Sequence, residues 1–292
     1  MSNKGVLAPR RLVWTWAVGG LMIALTAALL VPAYAQEQEA AATPPGVVAY
    51  WMLNETSGST FADAVGSNAA TCGATPLPAC PTPDVGRVAG AQNFGAGTGL
   101  SVADNASLDF ANNESFSVEA WIKTPMVCAQ NNNKVFVGKS AGSGNASWWL
   151  GCTSTATLSN VATFSVRDAN DVAFVVRGTT PINDNQWHHI VGIRDAAANN
   201  LRVYVDGALQ GTMAATYTGD FNTPNPLTIG YYQNVGGFQT TGNIDEVAVW
   251  RKALTQAEIT EHRNRGMEGQ PYFQPGPGTT LDKKVYLPLV TR

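Results

Sequence analysis

The sequence has 292 residues, only 13% of them charged, and its 18 Lys and Arg against 21 Asp and Glu give a formal net charge of −3. Such a balance leaves no basic surplus to condense on nucleic acid or on an anionic lipid surface, so both are excluded as charge-driven partners. Polarity is carried by uncharged Asn, Thr and Ser, and the 29 Gly supply turns, a composition that suits a secreted all-β domain.

Residues 1–35 read as an export signal. Lys4, Arg10 and Arg11 precede an uncharged run from Leu12 to Val31, and Ala33-Tyr34-Ala35 follows, which is the order of basic region, apolar region and small-residue cleavage site. The run is also long enough to cross a hydrocarbon core of ~30 Å, so an uncleaved anchor is the competing reading. Cleavage after Ala35 removes three of the 18 basic residues and no acidic one, leaving 15 against 21 and a net charge of −6. With the signal gone, no membrane attachment is expected.

After a short linker, residues 36–45 ("QEQEAAATPP"), the chain becomes a succession of apolar-alternating runs punctuated by Gly, Asn, Asp and Pro. Strands are predicted over 47–53, 116–123, 134–139, 147–152, 161–166, 172–177, 187–194, 201–205, 208–213, 227–230 and 242–250. That many strands separated by turn signals, without an internal repeat, indicate an all-β fold of two antiparallel sheets: a β-sandwich or jelly roll over residues 46–266. Asp206-Gly207 between two strand-like runs predicts a two-residue hairpin, since both residues accept positive φ. One short C-terminal helix is predicted at "LTQAEITEHRNRG", where Thr255 and Glu258 form a capping box and Gly266 supplies the stop. Residues 267–292 read as a Pro- and Gly-rich linker and tail, too poor in apolar residues to span a membrane.

Four cysteines in an exported chain favour disulfides over metal ligation. Cys72 and Cys80 bracket the Pro-rich "CGATPLPAC", and Cys128 and Cys152 flank another irregular segment, so pairs 72–80 and 128–152 are expected. Zinc would require paired C-x-x-C spacing with further Cys or His nearby, which neither pair has.

Several stretches follow one family pattern in order: "VVAYWMLNETSG", "FSVEAWIK", "QWHHIVGIRD" with "LRVYVDG", "LTIGYYQ" and "GNIDEVAVWRKALTQAEI". The chain resembles the laminin-G-like, concanavalin A-like domains of secreted bacterial proteins, relatives of the pentraxins. The resemblance implies a jelly roll and no single activity, because the fold carries lectins, adhesion modules, carbohydrate-binding modules and some glycanases.

The adjacent pair His188-His189 poses the question of catalysis. Along a strand His188 faces with Ile190, and His189 faces with Trp187, Val191 and Ile193. They are therefore badly placed to ligate one metal, and the remaining histidine, His262, lies on the late helix. The family's W-H-x-V pattern, matched by Trp187, His188 and Ile190, recurs in non-catalytic members, so both residues read as anchors of a central strand with a His188 ring nitrogen bonded to nearby backbone. A glycanase needs two carboxylates flanking the bond; the nearest candidates are Glu119, isolated, and Asp245-Glu246, expected on opposite strand faces. No E-x-D-x-E triplet or G-x-S-x-G elbow is present.

Calcium is the cofactor that the resemblance implies, held by carboxylate and carbonyl oxygens from loops. Asp245 matches an acidic position that binds structural calcium in some jelly-roll relatives, with Asn54 and the backbone beside it as partner; the alternative is that Asp245 hydrogen-bonds within the fold. The pentraxin-type ligand-bridging calcium is not expected, because its acidic positions fall on Tyr232 and Asn234. For a ligand surface, Trp148-Trp149 and Tyr231-Tyr232 are adjacent pairs, so one member of each turns away from the core. Trp148 and Tyr232, with Asn145, Gln233 and Asn234, are the candidates for stacking on sugar rings and bonding hydroxyls. Glu119, Trp121 and Lys123 share one strand face and form a second candidate patch. The expected function is a secreted, non-catalytic module for carbohydrate or another extracellular ligand; the alternatives are a cell-surface structural or adhesion module that binds protein and, behind it, a polysaccharide hydrolase or lyase.

Overall fold

The computed structural model describes residues 43–74, 78–130, 133–140, 147–232 and 238–274. The signal segment and most of the following linker therefore lie outside the described residues, as does the chain beyond Gln274. Among the described residues, β1 (Val47–Trp51), β2 (Thr60–Phe61), β3 (Ala70–Thr71), β4 (Thr82–Val85), β5 (Gly90–Phe94) and β6 (Leu100–Val102) come first. Then follow β7 (Phe116–Lys123), β8 (Lys134–Ser140), β9 (Ser147–Thr153), β10 (Val161–Arg167) and β11 (Ala173–Pro181). β12 (Trp187–Asp195), β13 (Asn200–Val205), β14 (Ala208–Ala214), β15 (Leu227–Ile229), β16 (Gly242–Trp250) and the helix α1 (Gln256–Met267) complete the series.

The strands form two antiparallel sheets. Sheet A runs β14-β13-β12-β7-β16-β5-β4, with β1 also paired to β16, and sheet B runs β11-β10-β9-β8-β15-β6-β3-β2. Period-two patterning explains how they stack. In β7, Phe116, Val118, Ala120 and Ile122 enter the core between the sheets, where they meet Trp148, Leu150, Phe164 and Val166 of sheet B. The predicted strands are all present. The short β2 to β6 were not anticipated, because β4 ("TPDV") is exposed at all four positions and the others are too brief to show alternation.

Asp206 and Gly207 have φ of 51° and 81° and join β13 to β14 as expected. Disulfides link Cys72 to Cys80 and Cys128 to Cys152, with Cα atoms 5.0 and 5.9 Å apart.

Sheet A is buried on its outer face as well. Tyr50, Trp121, Val191, Ile193, Tyr204, Ala248 and Trp250 form a second apolar cluster there with Leu254, Ile259, Tyr272 and Phe273. The segment after the helix is thus part of the fold rather than linker: Tyr272 and Phe273 are only 2% and 7% exposed. The capping box at Thr255 and Glu258 is formed, but Gly266 does not end α1. It lies within the helix, where a Cβ would stand 2.5 Å from the Trp121 ring, and the chain turns instead at Gly269, φ 71°.

Candidate ligand-binding face

The outer face of sheet B is built by the same alternation. Trp148 is in phase with Leu150 and Cys152, and all three are fully buried in the core. This corrects the assignment of Trp148 as a ligand-facing residue: Trp149 is the member that turns outward, and it is half-buried. Cross-strand pairing places Trp149 between Ser165 and Gly138. Gly138 pairs in turn with Thr228, Thr228 with Ser101, and Ser101 with Thr71, so the row beside the tryptophan carries only small side chains.

Two tyrosines close this row from one side. A Cβ on Gly138 would stand 2.9 Å from Trp149 Cβ and 3.2 Å from Tyr232 Cδ2, so the bare glycine backbone is what lets the two aromatic side chains pack side by side over this strand. Tyr232 is half-buried and leans on Phe238, with ring centroids 6.3 Å apart. Tyr231 packs against Gly99; burial raises its hydroxyl pKa against the opposing hydrogen bond to Ser101. Thr228 Oγ1 donates to the Tyr231 carbonyl at 2.7 Å, fixing the turn that carries both rings. Trp149 and Tyr232 therefore offer partly exposed aromatic surface, whereas the Thr228 and Ser101 hydroxyls beside them are buried and engaged within the fold. Of the other predicted ligand residues, Asn145, Gln233 and Asn234 lie outside the described residues.

The opposite outer face, on sheet A, holds titratable groups but is closed. His189 and His262 do converge, contrary to the expectation from their separation in sequence. Nε2 of His189 lies 3.0 Å from Glu119 Oε2, Nδ1 of His262 lies 3.0 Å from Glu119 Oε1, and Trp250 Nε1 donates to the same Oε1 at 2.7 Å. His262 stacks on Trp250 and on Tyr272, at 5.2 and 5.1 Å. Burial opposes ionisation of Glu119, but His262 and His189 outweigh it and hold its pKa at about 2. Burial likewise opposes protonation of His262, and the Glu119 carboxylate, with Glu258 and Glu261 beyond it, reverses the balance and raises its pKa.

Asp245 and Glu246 join this cluster on one face, not on opposite faces as expected from strict alternation. A β-bulge between Asp245 and Ala248, with Glu246 at φ 53°, turns both inward beneath Tyr272. Tyr50 Oη donates to Glu246 and accepts the Tyr272 N–H. Burial raises the pKa of Asp245 and Glu246 well above the ordinary carboxylate range. Glu119, Trp121, Asp245 and Glu246 are all 0% exposed, so the patch expected at Glu119, Trp121 and Lys123 is core rather than surface.

His188 is held by side chains rather than by backbone: Nδ1 meets Asp206 Oδ2 at 2.7 Å and Nε2 meets Asp184 Oδ1 at 3.1 Å. The Asp206 hydrogen bond chiefly raises its pKa, against burial. Since Asp206 also accepts the His189 N–H at 2.9 Å, His188 serves to clamp the β12–β13 hairpin.

The donors expected to hold calcium do not complete a shell. Asp245 Oδ2 accepts the Arg87 and Val88 amides at 2.8 and 2.9 Å, and Asn54 Oδ1 accepts the Gly90 amide at 2.7 Å. Of the Asp245 and Asn54 side-chain oxygens, Asp245 Oδ1 is the one buried without a partner, whereas calcium takes ~6–8 oxygens. Among the described residues no cluster of three or more His, Cys, Asp or Glu side chains suits a metal ion. Through these amides Asp245 pins the turn before β5.

Comparison with solved structures returns the same sandwich. The binding domain of Paraclostridial Mosquitocidal Protein 1 aligns with a TM-score of 0.59 at 13% identity, over 75% of this chain and 52% of that one. Domain 4 of AbnA, a GH43 extracellular arabinanase from Geobacillus stearothermophilus solved in complex with arabinotriose, gives 0.55 at 18% identity, over 74% and 97%. The binding domain of botulinum neurotoxin serotype G gives 0.57 at 14%, over 75% and 50%. The chain thus spans about half the length of the two toxin domains, and identities this low establish the fold alone. A search of curated protein sequences finds no significant match. The model of the laminin-G type within the concanavalin A-like lectin/glucanases superfamily matches residues 94–260, more than half of the chain, and to that family this protein belongs.

Proposed function

We propose that the protein is an exported, non-catalytic module that binds carbohydrate on the outer face of sheet B. The observation that carries this reading is the convergence of Trp149 and Tyr232 over Gly138, two partly exposed aromatic side chains of the kind that stack on a sugar ring. AbnA domain 4, of the same fold, was solved with arabinotriose, and the toxin relatives are themselves binding domains; both are consistent with a binding role. The non-catalytic part rests on access: Glu119, Asp245 and Glu246 lie under α1 and the Tyr272 segment with no exposed surface, whereas glycoside hydrolysis needs two carboxylates flanking a bound glycosidic bond. Export is read from the leader and accords with the two disulfides.

A glycan array probed with the mature chain tests the reading. Selective capture of one group of neutral oligosaccharides is expected, unchanged by EDTA. Binding to no glycan, together with recovery of one specific protein partner, would replace it with the adhesion reading.

A further inference from the structure

The segment after α1 is held to sheet A by rings more than by backbone. Past Gly269, at φ 71°, the Gln270 amide donates to the Arg265 carbonyl at 2.8 Å, and the chain then joins no strand. Among the described residues, positions 271–274 make two further hydrogen bonds, both with side chains. Arg265 Nε donates to the Pro271 carbonyl at 2.7 Å, and the Tyr272 amide donates to Tyr50 Oη at 3.3 Å. Tyr272 lies against Tyr50, His189 and His262, with centroids 5.6, 5.5 and 5.1 Å apart. Phe273 lies against Tyr50 and Trp250 at 4.9 and 5.9 Å. A segment with so few backbone bonds can open locally while the domain stays folded.

What this strap covers is incompletely bonded. Glu246 is 0% exposed and lies beneath Tyr272. Its Oε2 bonds to Tyr50 Oη, the hydroxyl that also accepts the Tyr272 amide, and its Oε1 has no partner. Glu119 has His189 and His262 as ion-pair partners; Glu246 has one hydroxyl. A carboxylate so placed is costly out of water, so the closed strap favours the neutral acid. Burial raises the Glu246 pKa well above the ordinary 4.5, against the Tyr272 amide, which lowers it. The other titratable or charged groups around the strap are Glu119 of β7, His189 of β12, Asp245 of β16, His262 and Arg265 of α1, and Arg87 of the turn before β5. Glu119, with a pKa of about 2, stays ionised above pH 5, and burial keeps the Tyr272 hydroxyl well above 10.0. Asp245 is raised by burial as well, but its bonds run to the Arg87 and Val88 amides. His262 meets Glu119 from α1, a contact that does not involve the strap.

We propose that residues 270–274 form a pH-sensitive latch, closed over the neutral Glu246 carboxyl and opened, with the sandwich intact, where alkaline medium favours its carboxylate. The closed form is favoured fully below the ordinary value of 4.5 and loses its advantage as pH rises toward the folded value. Opening lifts Tyr272 and Phe273 from Tyr50 and Trp250 and so turns a closed aromatic face into an exposed one. None of these groups belongs to the Trp149–Tyr232 face, so the latch stands independently of the function proposed above.

The test is amide hydrogen exchange of the mature, disulfide-bonded chain, followed by NMR and corrected at each pH for the intrinsic rate. Protection of the Tyr272 amide is expected to fall by about tenfold or more between pH 5 and pH 8, since one proton released on opening raises the opening constant about tenfold per pH unit. The Val118 and Ile190 amides, in strands paired on both sides, are expected to keep their protection. Glu246→Gln has the same shape and cannot ionise, so its Tyr272 protection is expected to be flat over this range, whereas His262→Gln is expected to retain the fall. Should Glu246→Gln not fold, titration of the Glu246 carboxyl carbon in the unmutated chain decides: a midpoint well above 4.5 is expected, and one at or below it overturns the proposal. Constant Tyr272 protection, a fall shared by Val118 and Ile190, an equal fall in Glu246→Gln, or loss of the fall in His262→Gln overturns it too.

Discussion

The two outer faces of the sandwich are made by the same alternation and have opposite fates. On sheet A the outward residues are large aromatic or ionisable groups, and α1 with the Tyr272–Phe273 segment closes over them. On sheet B the outward row is small, Ser165, Gly138, Thr228 and Ser101, interrupted by Trp149; Gly138, Thr228 and Ser101 are buried, and Trp149 and Ser165 remain partly exposed. The difference teaches where chemistry and binding can each reside. Buried carboxylates and histidines bonded to one another stabilise a lid; a tryptophan and a tyrosine over glycine leave aromatic surface partly uncovered.

The comparison breaks first if the closed face is not held together by its polar centre. In Glu119→Gln, His262 loses its counter-charge and His189 the carboxylate it is bonded to in a fully buried site, and disrupting a buried pair typically costs about 3–5 kcal/mol. For a domain of this size that is a fall in melting temperature on the order of 6–20 °C, measurable by calorimetry; a shift within error would mean that the cluster contributes nothing to the fold.

A smaller, pH-dependent effect sharpens the same point. The pKa of His262 is raised by folding, so its contribution is complete below the ordinary histidine value of 6.5 and is lost as pH rises through the folded value. Glu119 is lowered to about 2 from 4.5, so its contribution is present above 4.5 and is lost as pH falls toward 2. The stability difference between wild type and His262→Gln is therefore expected to be greatest near pH 4.5 to 6.5 and to shrink toward pH 9. Parallel stability curves for the two proteins across that range would contradict the assignment.

The smallest expected effect is that of calcium. With Asp245 Oδ2 and Asn54 Oδ1 already accepting backbone amides, melting temperatures with millimolar calcium and with EDTA should coincide. Occupancy at a hundredfold excess over Kd would add ~2.7 kcal/mol, so a rise of several degrees would restore the calcium reading.

The sandwich was legible because its long strands alternate cleanly and its Asp206-Gly207 turn and Thr255 cap are local signals. Parts of the site were legible but misassigned. Leu150 and Cys152 share the phase of Trp148, which already marks Trp149 as the outward residue. Other parts depend on contacts remote in sequence. The meeting of His189 with His262 at Glu119 requires α1 to fold back on sheet A, and the inward turn of both Asp245 and Glu246 requires a bulge that side-chain pattern alone does not announce.

The central claim is that the open face of sheet B binds and that its tryptophan is the contact. Its most direct test is the affinity of the best array glycan for Trp149→Ala, measured beside the melting temperature of the same variant. Stacking on one aromatic ring contributes on the order of 1 kcal/mol or more, so binding is expected to fall by about tenfold or beyond while the fold, in which Trp149 is only half-buried, melts close to wild type. Unchanged affinity in a folded Trp149→Ala protein would place the ligand elsewhere and contradict the account.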